Sequence, residues 1–251
     1  MRTAVYCATR NLYHDMLVSA KSMLYYDAAD EIVCLIEDDA LPEPVPDCIH
    51  TRNVSKQRWF DPNGPNFSRR WTYMVLLRAV YTQIFPDRDV VLSLDVDNIA
   101  QRDVSGIWRT DLTGAYYAAT REVLPGRDRT VYAFGVTLLN LAALRDGTDM
   151  RIAHLLNTER LESPEQDAFG RICAGHIAEL PPEYCTTWYN RNFAPAHAVR
   201  IHNYTNDVRI YNELYYYRRF DKLDWDAVLE RMCVNASKRG IGAREGARTG
   251  K

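Results

Sequence analysis

Apolar residues along this chain gather into short continuous runs, separated by polar, turn-rich segments and by stretches where they recur at helical spacing. The first run covers residues 3–8 and leads into the polar stretch Thr9-Arg10-Asn11-Leu12-Tyr13. Residues 13–26 then place Met16, Leu17, Ala20, Met23 and Leu24 on one side of a helix, the spacing that packs on a sheet. A second run, 31–36, ends in Glu37-Asp38-Asp39, and three prolines between 41 and 46 force a loop. A strand, a helix and a strand in this order open a doubly wound, mainly parallel α/β sheet.

Beyond a polar and aromatic stretch with the turn signal Asp61-Pro62-Asn63-Gly64-Pro65, the pattern predicts a buried helix over 71–85, apolar nearly all round. Strands follow at 90–94, 114–120 and 133–141, the last two separated by Leu124-Pro125-Gly126-Arg127. Residues 142–156 read as a helix broken near Gly147. Ser163-Pro164 starts another, with acidic residues in its first turn. Short strands at 177–180 and 198–202 and an amphipathic helix at 221–233 complete the pattern. The expected organisation is one catalytic-sized domain over 1–220, a C-terminal helix over 221–235 and a basic, disordered tail over 236–251 (Lys238, Arg239, Arg244, Arg248, Lys251).

Composition narrows the class. At 251 residues the chain has enough length to bury a core without disulfides or a structural metal. A formal net charge of −2 argues against a general polyanion binder. The six cysteines show no C-x-x-C pair, and Cys7, Cys34 and Cys173 lie in apolar segments, as reduced core thiols do. No apolar run approaches the roughly 18 residues of a membrane span. The expectation is a soluble, cytoplasmic protein of a reducing compartment.

The candidate chemistry sits at the end of the run Val90-Val91-Leu92-Ser93-Leu94, which stops at Asp95-Val96-Asp97. Two carboxylates spaced by two in an extended chain point the same way, at the end of a strand where α/β sheets bind ligands. Their mutual repulsion asks for a cation, and hard oxygen donors suit Mg²⁺ or Mn²⁺, held together with substrate phosphates. Asp-x-Asp also occurs in solvated turns, but here the chain turns apolar again at Val104-Ser105-Gly106-Ile107-Trp108. Arg78 interrupts the apolar surface of the 71–85 helix and needs an anion, whether a ligand or an internal carboxylate.

Several pieces in order resemble the retaining nucleotide-sugar glycosyltransferases of family 8, the group of glycogenins and bacterial lipopolysaccharide galactosyl- and glucosyltransferases. They are Val5-Tyr6-Cys7-Ala8-Thr9-Arg10-Asn11-Leu12-Tyr13, Arg78 placed seventeen residues before Asp95, the Asp95-Val96-Asp97 strand end, Tyr132-Ala133-Phe134-Gly135-Val136, and Glu165-Gln166-Asp167. Ile201-His202-Asn203-Tyr204-Thr205-Asn206-Asp207-Val208-Arg209 is similar to the family's H-Y-x-G-x-x-K loop, stretched by one residue.

The resemblance implies a single-domain, Rossmann-like GT-A fold and transfer of a hexose from a UDP-glucose or UDP-galactose type donor to a hydroxyl, with retention. It implies Mn²⁺ or Mg²⁺ on Asp95, Asp97 and His202, and a nucleotide site from Ala8, Thr9, Asn11, Tyr13, Val96 and Arg209. Gln166, Glu165 and Arg78 would lie at the donor sugar. Ala133 and Phe134 depart from the family's asparagine and small residue, which implies a different acceptor. Asn206 stands for the loop glycine, and Ile210-Tyr211 for its tryptophan.

The residues themselves leave alternatives. Asp-x-Asp also serves phosphohydrolases, as nucleophile and acid partner, though usually at the end of the first strand; a silent nucleotide-sugar binder is a third class. Glu165-Gln166-Asp167 also reads as a plain helix start, and Arg58-Trp59-Phe60 with Arg69-Arg70-Trp71 as a folded-over lid or interface. A glycan, a protein, a small metabolite and a hydroxylated nucleobase in DNA are all compatible acceptors. The basic tail is a candidate contact with anionic lipid or nucleic acid.

Overall fold

The computed structural model describes residues 1–68, 72–123, 131–187, 189–190, 192–204 and 214–246. Its strands are β1 (Thr3–Cys7), β2 (Glu31–Ile36), β3 (Ile49–Asn53), β4 (Val90–Leu94), β5 (Asn98–Ala100), β6 (Tyr117–Glu122), β7 (Val131–Asn140), β8 (Ile177–Leu180) and β9 (Ile201–Asn203). Among the described residues the main sheet has seven strands in the order β3-β2-β1-β4-β7-β6-β8, and β5 pairs with β9 in a separate ribbon. Only β7 runs against the rest of the main sheet. The mixed α/β, mainly parallel architecture expected from the sequence is therefore the one observed.

Alternate residues of the strands feed two cores. Tyr6, Cys34, Leu92 and Leu94 face helix α1 (Tyr13–Tyr25). Val5, Leu35 and Val91 face the opposite side, with α4 (Thr148–Thr158) and α5 (Pro164–Ile172). Both faces being covered, the strands read as near-continuous apolar runs. From β1 the chain crosses to β2 on one side, while β4 lies on the other, in register through Ala4↔Leu92 and Tyr6↔Leu94. Such a reversal of strand order opens a crevice at the carboxyl ends, where residues 8–13 and Asp95 lie.

The structure changes two of the expected helices and keeps a third. The single helix over 71–85 is a 3₁₀ segment, Val75–Val80, followed by α2 (Tyr81–Ile84). β-branched and aromatic residues (Val75, Val80, Tyr81, Thr82) weaken helix propensity, and a 3₁₀ run of this length is uncommon away from functional sites. Arg78 stands inside it. Residues 141–158 break as predicted, into α3 (Leu141–Leu144) and α4, around Gly147 in the left-handed region.

At the C-terminus, α6 (Tyr215–Asp221) and α7 (Trp225–Gly246) replace the helix expected to end near 233, and helix occupies the start of the expected tail. α7 is tied down. Asn235 donates to the Tyr25 carbonyl at 3.1 Å, and Arg239 pairs with Asp30 at 2.8 Å and with Asp27. Arg2 holds the same two aspartates. Arg239, assigned from sequence to a free basic tail, is thus engaged internally. All six cysteines are free thiols, and among the described residues no helix is long and apolar enough to cross a membrane.

Candidate active site

The site grows from the end of β4. Asp95 follows Leu94, and its N–H donates to the Gly135 carbonyl of β7 at 2.9 Å. Arg78, only 2% exposed, reaches across from the 3₁₀ segment. Its Nε donates to Ser93 Oγ at 3.0 Å, Nη2 to Asp95 Oδ1, and Nη1 to Glu165 Oε1 at 3.3 Å. Burial works against the guanidinium, but Asp95 and Glu165 outweigh it and hold its pKa above the ordinary range. Burial likewise pushes Glu165 up, with Arg78 opposing. The anion that Arg78 requires is therefore this carboxylate pair, one from β4 and one from the first turn of α5.

The first turn of α5 fixes Glu165 and Gln166. Ser163 takes the N-cap position without capping through its side chain. Instead its N–H donates to Asp167 Oδ2 at 2.9 Å. Pro164 opens the helix. Gln166 Nε2 donates to the Tyr132 carbonyl of β7 and the side chain bonds Glu122 of β6. Glu122 is buried, accepts from Thr187 Oγ1 at 2.8 Å, and is pushed up by burial. Sequence reading missed Glu122. It ends the strand run Tyr117–Glu122, and only its partnership with Gln166 marks it.

At the other side of the crevice, Tyr13 OH donates to Asp38 Oδ2 and accepts from the Glu37 N–H, each at 2.9 Å. Thr9 Oγ1 donates to Asn11 Oδ1 at 2.8 Å, and the Ala8 N–H caps β2 at the Leu35 carbonyl. Ala8, Thr9, Asn11 and Tyr13 thus form one wall above β1 and β2, with Val96 between Asp95 and Asp97. Arg209 and the rest of 205–213 lie outside the described residues, as do Arg69, Arg70, Trp71 and 124–130. Of the aromatic stretch that remains, Phe60 is buried and Trp59 Nε1 donates to Gln83 Oε1 at 2.7 Å. Phe134 also turns inward, with its ring centroid 5.0 Å from Phe169 and 5.3 Å from Tyr117.

The ribbon of β5 and β9 decides the composition of the carboxylate cluster. Its register pairs Asn98 with Asn203, Ile99 with His202 and Ala100 with Ile201. Side chains of a strand alternate between faces. Asn203 therefore shares a face with Ile201, and its Nδ2 donates to Asp97 Oδ1 and Asn98 Oδ1, each at 3.0 Å. His202 takes the other face with Ile99, and its ring stacks on Tyr204 at 4.0 Å between centroids. Burial pushes its pKa down to about 4. Among the described residues no three His, Cys, Asp or Glu side chains converge closely enough for a metal ion. The expected triad of Asp95, Asp97 and His202 is not assembled: Asp97 meets Asn203 instead.

Burial and the neighbouring Asp95 push Asp97 up to about 7, so a nearby cation would favour its charged form. Gly135 leaves the space: a Cβ there would stand 2.3 Å from Asn203 Nδ2 and 3.4 Å from Asp95 Oδ2. The missing side chain lets Asn203 lie close beside the two carboxylates, and this set of oxygen donors fits a hard divalent ion. Gly135→Ala is expected to displace Asn203 and cost about 1–3 kcal/mol by overpacking. A thermal melt unchanged from the parent would show that the gap tolerates a methyl group.

The Glycosyl transferase family 8 model matches residues 5–210, whereas no curated protein matches the sequence. Among solved structures, the glycosyltransferase GlyE of Streptococcus pneumoniae TIGR4 superposes with a TM-score of 0.71 at 16% identity, over 94% of this chain and 64% of that one. The chain thus spans under two thirds of GlyE. The galactosyltransferase LgtC, solved with donor and acceptor sugar analogues, gives 0.68 at 16% identity, over 91% and 99%. Mouse xyloside xylosyltransferase 1 gives 0.59 at 15%, over 81% and 97%. At these identities the structures speak for the GT-A fold, and the family model covers most of the sequence: the chain belongs to glycosyl transferase family 8 and is a glycosyltransferase.

Proposed function

We propose that this glycosyltransferase moves a hexose from a UDP-sugar, of the UDP-glucose or UDP-galactose type, to a hydroxyl acceptor, retaining the anomeric configuration. The observation that carries the reading is the convergence of Arg78, Asp95, Glu165 and Asp97 at the crevice between β1 and β4. The nucleoside would lie along Ala8, Thr9, Asn11 and Tyr13, with its diphosphate toward Val96 and the carboxylates. Asp95 and Asp97 would hold a Mn²⁺ or Mg²⁺ ion, which when bound supplies Lewis-acid compensation for charge on the leaving diphosphate.

Beside that diphosphate, Arg78 holds the Asp95 and Glu165 side chains in place through its hydrogen bonds and would add positive charge behind them. Glu165 would accept hydrogen bonds from donor hydroxyls. Gln166, anchored by Tyr132 and Glu122, would place its amide oxygen beside the anomeric carbon as positive charge develops there. Arg209 would clamp the diphosphate bidentately. LgtC, a galactosyltransferase of similar fold, supports a glycan-type acceptor.

The test is incubation with Mn²⁺ or Mg²⁺ and a panel of nucleotide sugars, with free UDP as readout. Slow UDP release that stops with EDTA is expected; release of orthophosphate instead would indicate a phosphohydrolase. Gln166→Ala is expected to lower turnover roughly 10²-fold while UDP binds as before. A matching loss of UDP affinity would put Gln166 at the nucleotide rather than the sugar.

A further inference from the structure

We infer that Asn203, through its side-chain carboxamide oxygen, is the third protein ligand of the divalent ion beside Asp95 and Asp97, and that His202 takes no part, leaving a site built of oxygen donors alone. This rests on the proposed metal dependence. Three independent observations lead to it. The β5–β9 register puts Asn203 on the carboxylate side and His202 on the other, with the imidazole stacked on Tyr204. Asn203 already touches Asp97, and Gly135 is cut back to leave room for it.

The third observation is in the sequence. Aligning His202 with the histidine of H-Y-x-G-x-x-K requires one inserted residue. Aligning Asn203 with it requires none, for Tyr204, Asn206 and Arg209 then take the tyrosine, glycine and lysine places. An asparagine thus stands where the family pattern has an imidazole. In the structure its Nδ2 donates to Asp97 Oδ1 and to Asn98 Oδ1; half a turn about the last side-chain bond, made at the cost of the Asn98 bond, would turn Oδ1 toward an ion held by Asp97. Which amide atom points inward is set by the charge it meets.

The chemistry differs from that of an imidazole site. Carboxylate and carbonyl oxygens suit Mg²⁺ and Mn²⁺, whereas imidazole adds affinity for Zn²⁺, Co²⁺ and Ni²⁺. Mg²⁺ is therefore expected to support UDP binding nearly as well as Mn²⁺, with little gain from softer ions.

The experiment is pulsed electron paramagnetic resonance and Mn²⁺ titration of the untagged 251-residue chain, with UDP present. The parent is expected to bind one Mn²⁺ without the nitrogen coupling of a bound imidazole. His202→Phe, which keeps a ring on Tyr204, should leave both spectrum and affinity unchanged. Asn203→His should introduce the coupling, and Asn203→Leu should weaken Mn²⁺ about tenfold or more; Asn203→Asp, keeping an oxygen donor, should retain tight binding. A coupling in the parent that His202→Phe removes would overturn the inference, as would full affinity in a folded Asn203→Leu. Should Asn203→Leu fail to fold, the parent and His202→Phe spectra still decide. Absence of any bound Mn²⁺ in the parent would remove the metal reading itself, and this inference with it.

Discussion

Replacing Arg78 by methionine is expected to lower stability by about 3–5 kcal/mol and to abolish transfer. The stability loss follows from what Arg78 does before any substrate arrives. It is 2% exposed and is paired with Asp95 and Glu165, so removing it leaves Glu165, whose side chain is 14% exposed, without its cation, while Asp95, at 36%, still meets water. Breaking one side of a buried ion pair costs in that range because the remaining charge is uncompensated. For a chain of this size the melting temperature should fall by roughly 10 °C. Differential scanning calorimetry checks it, and a shift under about 2 °C would mean that solvent or rearrangement satisfies the two acids.

The second large effect is catalytic with little structural cost. Asp97→Ala is expected to reduce UDP release at least about 10²-fold, with the melting temperature held or raised. Asp97 differs from Arg78 in sign. Burial and Asp95 raise it from 3.8 to about 7, so between those values the native state holds a proton that the unfolded chain has released. Stability contributed by this group therefore falls as pH rises from about 4 to 7. Asp97→Ala should flatten that decline when both proteins are melted in EDTA across this range. Near-parent UDP release by the variant would remove Asp97 from the metal site.

How much of this was legible in the residues depends on how each element earns its burial. β1, β2 and β4 are covered on both faces and announce themselves as apolar runs. β3 does not: only Ile49 of Ile49–Asn53 is buried, and an edge strand exposes the polar residues that look like loop. Arg78 was conspicuous because a charge in an apolar segment must be answered, and its partners Asp95 and Glu165 came from two separately recognisable pieces.

The carboxylate cluster was legible only in part. β5 and β9 are three residues each, too short for any periodic signal. In a strand, a shift of one residue moves every side chain to the other face, so choosing between His202 and Asn203 needed the register with Asn98–Ala100. Chemistry favoured the histidine, and the pleat placed the asparagine. Glu122 and its bond to Gln166 depend on β6 and α5 meeting across the sheet, a contact that neither segment carries in its own sequence.

The central claim is that the strand-end carboxylates organise a metal-dependent UDP site. Calorimetric titration of UDP into the parent protein tests it most directly, once in Mn²⁺ and once in EDTA, with Asp97→Ala alongside. UDP should bind one site in Mn²⁺, and its affinity should fall at least about tenfold both in EDTA and in the variant. Equal affinity under all three conditions would contradict the account.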